Sequence, residues 1–179
     1  MNYKHIDGVK VKAKIYYELG KKKFRYRMVV DYLKRTKGKK TACVIMMNPS
    51  KADKEVADKS VQFMEKVVFE KDFPQFKKVR RLIIVNQFAF YQTNNFKGLA
   101  SEVGSKNDEA IQKAFEESDI IIIGWGKANK FKDRQRFVCE LLEKLKNKKL
   151  YETNSHPSRA GYKRFIKNLD LGKLRLTLG

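Results

Sequence analysis

The chain has 179 residues, 42% of them hydrophobic and 12% aromatic. That is enough apolar material for one packed domain spanning residues 1–179, and it excludes disorder as the overall state. Lys and Arg number 41 against 20 Asp and Glu, a net charge of +21, so a polyanion, DNA or another nucleic acid, is the expected partner. The plain alternative is a host proteome rich in lysine.

The longest purely apolar stretch is Ile120-Ile-Ile-Ile123, far below the roughly 18 residues of a membrane span. The N-terminus carries no apolar signal core, so secretion is not expected. Cys43 and Cys139 sit in a strand-like and a helical pattern. Both read as small core residues of a reduced, cytoplasmic protein. A monomer is the expected state.

Residues 9–15 alternate strictly, with Val9, Val11, Ala13 and Ile15 opposite Lys10, Lys12 and Lys14. This predicts a half-buried strand. A turn over 20–23 and a second strand over 24–33 complete an N-terminal hairpin, with Lys23, Arg25 and Arg27 on its outer face. Residues 41–47, TACVIMM, are apolar throughout and predict a strand covered on both faces. Helical spacing follows over 56–72.

A second covered strand is predicted over 81–87. A capping box over 105–108 opens a helix to about residue 117. A third strand follows over 119–125, an amphipathic helix over 132–146 and a fourth strand over 149–153. A closing helix over 161–169 and a last short strand over 173–178 complete the reading. The fold class is therefore α/β: a three-layer sandwich with a mostly parallel central sheet and an added N-terminal hairpin.

In open α/β sheets, ligands bind beyond the carboxyl ends of the strands. The polar punctuation falls there, as Met47-Asn48-Pro49-Ser50, Val85-Asn86-Gln87, Gly124-Trp125-Gly126 and Asn154-Ser155-His156-Pro157-Ser158. One shared pocket is the expectation. Neither GxxxxGK[ST] nor GxGxxG occurs, so triphosphate and dinucleotide binding have no local support. No His/Cys/Asp cluster has metal spacing, and no metal or other cofactor is expected. His5 is read as a surface residue. Asp53 and Asp58 follow the first strand and could face the pocket or oppose a helix dipole.

These strings resemble an uncharacterised bacterial and phage family, domain of unknown function 1643. Its pattern is Asn-Pro-Ser followed by Asp, a strand ending Asn-x-Phe-Ala, Val-Gly-x-x-Asn-Asp, Trp-Gly and a late His-Pro. The likeness runs from about Phe24 to His156. More distantly, the strand ends are similar to the uracil-DNA glycosylase superfamily. The matching pieces are the Asn48-Pro49 loop, Asn86 after an apolar run, Trp125-Gly126, and His156-Pro157-Ser158 followed by Gly161-Tyr162-Lys163-Arg164-Phe165. The first loop lacks that superfamily's leading Gly, and Arg159-Ala160 stands where it has Pro-Leu-Ser.

That likeness implies a uracil-DNA-glycosylase-like fold and a nucleic-acid-binding protein that excises a base, or a modified base, from DNA. His156 would donate to the leaving base anion. Asn48 would orient a water, and Asp58 is the nearest carboxylate for a general base. Asn86 would read the base edge. Trp125 would lie beneath or beside the base, and Phe88, Phe90 or Tyr91 would cover it. Ser50, Lys51, Ser158, Arg159, Lys163 and Arg164 would hold phosphates. A module that binds bases without catalysis, and an enzyme on free nucleosides or nucleotides, are the alternatives.

Overall fold

An all-apolar strand is stable only between two layers, because both of its faces must leave water. The computed structural model describes residues 3–18, 20, 22–92, 96–126 and 130–179, and it sets the 41–47 run at the middle of a sheet. In chain order the elements are β1 (Tyr3–Lys4), β2 (Val9–Ala13), β3 (Tyr16–Glu18), β4 (Lys22–Phe24), β5 (Met28–Tyr32), β6 (Lys40–Met46), β7 (Val56–Ala57), α1 (Lys59–Glu65), β8 (Val79–Asn86), α2 (Asn107–Glu116), β9 (Ile120–Ile123), α3 (Lys132–Glu143), β10 (Lys149–Thr153), β11 (Ile166–Asn168) and α4 (Leu171–Leu178). A π-helical segment, Lys66–Glu70, continues α1.

Seven strands form the main sheet in the order β11-β10-β9-β6-β8-β5-β2. The pairings β10–β9, β9–β6 and β6–β8 are parallel. The pairings β11–β10, β8–β5 and β5–β2 are antiparallel. The sheet is therefore mixed, which corrects the expectation of a mostly parallel one. The parallel strands are its centre, and hairpins supply both edges. Two small sheets, β1–β7 and β3–β4, stand apart.

Side chains alternate across β6. Ala42, Val44 and Met46 pack with Val61, Met64, Val67 and Val68 of the α1 segment. Cys43 and Ile45 pack with Ile111 and Phe115 of α2 and Val138 and Leu142 of α3. Full burial of each Val or Ile stabilises by roughly 1.5–3 kcal/mol, and the polar residues of β6, Lys40 and Thr41, stand only at its half-buried start. Among the described residues no helix is long and apolar enough to cross a membrane.

Several expectations change. The 24–33 strand is two strands, since β4 ends at Phe24 and β5 starts at Met28. The expected 20–23 turn overlaps β4, and Lys21 lies outside the described residues. Residues 56–57 form β7, so the 56–72 helix begins only at Lys59. Ser105 does not cap α2: the helix begins at Asn107 with Lys106 in the cap position, one residue past Ser105, and without a side-chain cap, while the Ser105 hydroxyl donates to Glu18. The tail is reversed. Residues 166–168 add to β10 as a strand, while 171–178 form α4, whose N-terminus is capped by Asp170. Leu171 and Leu174 pack against the α2–α3 layer, so spacing of three outweighs the alternation of KLRLTL.

His5 is not a surface residue. Its Nδ1 lies 2.5 Å from Glu65 Oε1, its Nε2 3.0 Å from the Asp53 carbonyl, and Glu65 is wholly buried. Burial alone would lower its pKa, but the Glu65 carboxylate and the Asp53 carbonyl raise it above the ordinary histidine value.

Candidate functional site

Because β6, β9 and β10 run parallel, the loops that follow them leave the sheet on one rim. There Met47, Asn48, Trp125, Gly126, Asn154, Ser155 and His156 line a cleft of about 900 Å³, together with Asp58, Lys59 and Ser60 at the start of α1. Two glycines bring this rim together. A Cβ on Gly124 would stand 2.8 Å from Val44 Cγ2, and one on Gly126 would stand 2.9 Å from the His156 amide nitrogen. Gly126 also has φ +79°, a left-handed conformation that disfavours any side chain. Hydrogen at these positions lets the Trp125 loop lie against β6 on one side and the His156 backbone on the other.

His156 has a defined tautomer. Its Nδ1 accepts from the Ser158 amide at 3.2 Å and lies 2.8 Å from Ser158 Oγ. A backbone N–H can only donate, so Nδ1 carries no proton, and the neutral ring is protonated at Nε2. Burial and then the nearby Arg159 charge hold the pKa below the ordinary histidine value, against a smaller opposing pull from Asp58. At neutral pH the cleft therefore contains an uncharged imidazole donor.

Asn48 uses its Nδ2 on main-chain carbonyls, those of Gln92 at 2.9 Å and Pro49 at 3.3 Å. Among the described residues its Oδ1 has no hydrogen bond, which leaves that oxygen to a ligand or water. Asp58 serves both of the roles weighed for it. Its Oδ1 accepts from the Val61 amide at 2.9 Å, capping α1, and the residue lines the cleft. Asp53 holds a turn instead, accepting from the amides of Glu55 and Val56.

The residue that sequence reasoning missed is Arg25. The hairpin pattern puts it on the outer face, but it is only 1% exposed and lines the cleft. The alternation stops one residue too early: β4 ends at Phe24, and the Arg25 amide bonds to the Ala89 carbonyl. Its Nη1 donates to the Ala52 carbonyl, while Nε and Nη2 have no partner among the described residues. Burial lowers its pKa, partly countered by Asp58, Tyr91 and Asp53. Nothing in the residue pattern marks this arginine as internal.

Of the expected site residues, His156, Asn48, Asp58, Trp125, Ser50, Ser158 and Arg159 all line the cleft. Asn86 and Phe88 do not. Asn86 is 1% exposed with both amide atoms unpartnered among the described residues. Its main-chain carbonyl accepts from Asn107 Nδ2 at 3.0 Å. Phe88 is core, packed edge-on to Phe96 and Phe131 at 5.1 and 5.0 Å between centroids. Tyr91 is half-buried beside the Arg25 charge but off the lining. Phe90 packs on Phe24. Lys51, Lys163 and Arg164 are exposed and lie outside the lining.

No curated protein and no solved structure matches the chain. A family model described as protein of unknown function (DUF1643) matches residues 25–160. That span opens on Arg25 and closes just past Arg159, the first and last residues of the cleft wall. The chain belongs to this family of proteins of unknown function, DUF1643.

Proposed function

We propose that the strand-end cleft receives a nucleobase and that the protein releases that base from nucleic acid by stabilising it as an anion, in the manner of the uracil-DNA glycosylase superfamily that its strand-end motifs resemble. The observation that carries this reading is the neutral, Nε2-protonated His156 in the cleft. Cleavage of an N-glycosidic bond leaves negative charge on the departing base. A preorganised neutral donor stabilises that charge without first attracting a counter-ion, and such donors contribute about 3–4 kcal/mol to transition states. Asn48 Oδ1 would orient the attacking water. Trp125, 3% exposed in the same wall, would flank the ring.

The charge distribution supports a second reading. Basic residues occur at more than one place: Arg25, Lys59 and Arg159 line the cleft. Lys10, Lys12, Lys39, Lys40, Arg80 and Arg81 line a groove at the opposite ends of the parallel strands. A basic groove away from the cleft leaves an enzyme on free nucleosides or nucleotides as the second reading.

One experiment addresses both readings. Wild type and His156→Ala are incubated with oligonucleotides carrying normal and modified bases, and with the matching free nucleosides. Abasic sites and released bases are then measured. Base release that falls about 10²–10³-fold in His156→Ala, with DNA affinity nearly unchanged, is the expected result. Release only from free nucleosides selects the second reading. Release unchanged in His156→Ala removes the role of the histidine.

A further inference from the structure

Arg25 is a buried guanidinium with one bonding edge unused among the described residues. Its Nη1 is fixed to the Ala52 carbonyl, whereas Nε and Nη2 lie in the interior with no partner among the described residues. Those two nitrogens form the side-on fork of arginine, whose parallel N–H groups match paired oxygens of a carboxylate or phosphate. The same edge is in use elsewhere in this molecule: Arg81 holds Asp31 through Nε at 2.6 Å and Nη2 at 3.1 Å. Asp58 and Asp53 act on Arg25 through charge, but neither forms an ion pair with it among the described residues, and one oxygen of each is engaged elsewhere. Asp58 Oδ1 caps α1, and Asp53 Oδ1 takes two amides of its own turn.

A charged fork left unpaired inside a protein is costly, and a buried polar edge beside a cleft is explained by a group that binds to it. The geometry points to an oxyanion subsite in the wall of the cleft, in which the Nε–Nη2 edge of Arg25 takes two oxygens of a phosphate group. This deepens the nucleobase reading and rests on it for the rest of the ligand: base toward His156 and Trp125, phosphate on Arg25. The unbranched chains of Met46 and Met47 share that wall, and such thioethers give way readily as a ligand seats. The phosphate can belong to a free nucleotide or to a polynucleotide, since the fork recognises only the oxygens.

The test reads Arg25 directly in the wild-type protein. Its Nε–H resonance is assigned in ¹H–¹⁵N spectra by its disappearance in Arg25→Lys. Four probes are titrated: inorganic phosphate, a nucleoside 5′-monophosphate, the matching nucleoside, and an oligonucleotide without terminal phosphates. The expected result is a shift of that resonance with the phosphate-bearing probes and none with the nucleoside. Arg25→Lys keeps the charge but loses the fork, and should bind the responding probe roughly 10–100-fold more weakly. Response to the monophosphate but not the oligonucleotide assigns a free nucleotide, and response to both assigns a phosphate of the polymer; either supports the subsite.

A resonance that no probe moves, or that the nucleoside moves equally, overturns it, as does undiminished binding by Arg25→Lys. If Arg25→Lys fails to fold, the wild-type resonance is assigned by through-bond correlation and still decides. Base release is assayed in parallel. A responsive Arg25 without base release removes the excision reading and keeps the subsite, and base release with a silent Arg25 does the reverse.

Discussion

His5→Ala should destabilise the protein strongly in mild acid and only weakly in base. Both ring nitrogens of His5 face oxygens, Glu65 Oε1 and the Asp53 carbonyl. A neutral imidazole has one N–H and satisfies only one of them, whereas the imidazolium satisfies both. Removing one partner of a buried pair costs about 3–5 kcal/mol. The His5 side chain is 9% exposed and Glu65 is 0% exposed, so we take the low end, about 3 kcal/mol. In a chain of this length each kcal/mol moves the midpoint by about 2–4 °C, giving a fall of about 6–12 °C.

The pKa of His5 is raised in the folded protein above its ordinary value of 6.5. The contribution of the imidazolium is therefore complete below that value and is lost as pH rises through the folded pKa. With the ring neutral, about 1 kcal/mol for one remaining hydrogen bond is left to lose. Thermal unfolding followed by circular dichroism at about pH 5.5 and about pH 9, on either side of the histidine range, measures the difference. Glu65→Gln should flatten the pH dependence. A His5→Ala deficit that is equal at both pH values, or larger in base, would refute the imidazolium assignment.

Gly126→Ala should cost about 1–3 kcal/mol for a side chain at positive φ. It should also lower base release, because the new methyl meets the His156 amide; unchanged melting and turnover would contradict the close approach. Asn86→Leu removes a buried amide with no partner among the described residues, whose desolvation costs about 1–3 kcal/mol, so calorimetry should show a higher midpoint. A drop would reveal a native partner for that amide. Base release should hold steady down to the ordinary histidine range and fall below it, since a proton on His156 Nδ1 expels the Ser158 amide. A rate that rises in acid through that range would mean that the imidazolium is the active form.

The parts of the fold that could be read from sequence were those with a local cause. Continuous apolar runs marked β6, β8 and β9, and the polar residues closing them marked the rim where His156, Asn48 and Trp125 meet. The rest depended on partners distant in sequence. Arg25 lies inside because Ala89 takes its amide and Ala52 its guanidinium, and no period of the hairpin records either. Ser105 has the composition of a cap, but α2 starts one residue too late for it, with Lys106 in the cap position, and its hydroxyl donates to Glu18 far earlier in the chain. In the tail, alternation and helical spacing coexist in LGKLRLTL; the α2–α3 layer, offering a surface for Leu171 and Leu174, decides between them. Nearness to Asn86 in sequence points Phe88 toward the ligand, whereas the rings of Phe96 and Phe131 hold it in the core.

The proton on His156 Nε2 is placed by a main-chain group, the Ser158 N–H. Nineteen of the twenty amino acids carry that group, so a change of side chain at 158 gives up the Oγ contact to Nδ1 at 2.8 Å but leaves the amide donor that sets the tautomer. Proline alone lacks the donor. Position 158 should accept Ala, Gly or Thr with the tautomer intact and reject Pro, a selectivity opposite to that of a side-chain hydrogen bond, where the residue's identity is everything. Exchange at 158 thus becomes a route by which the rim can acquire new contacts to a ligand while its central donor stays fixed.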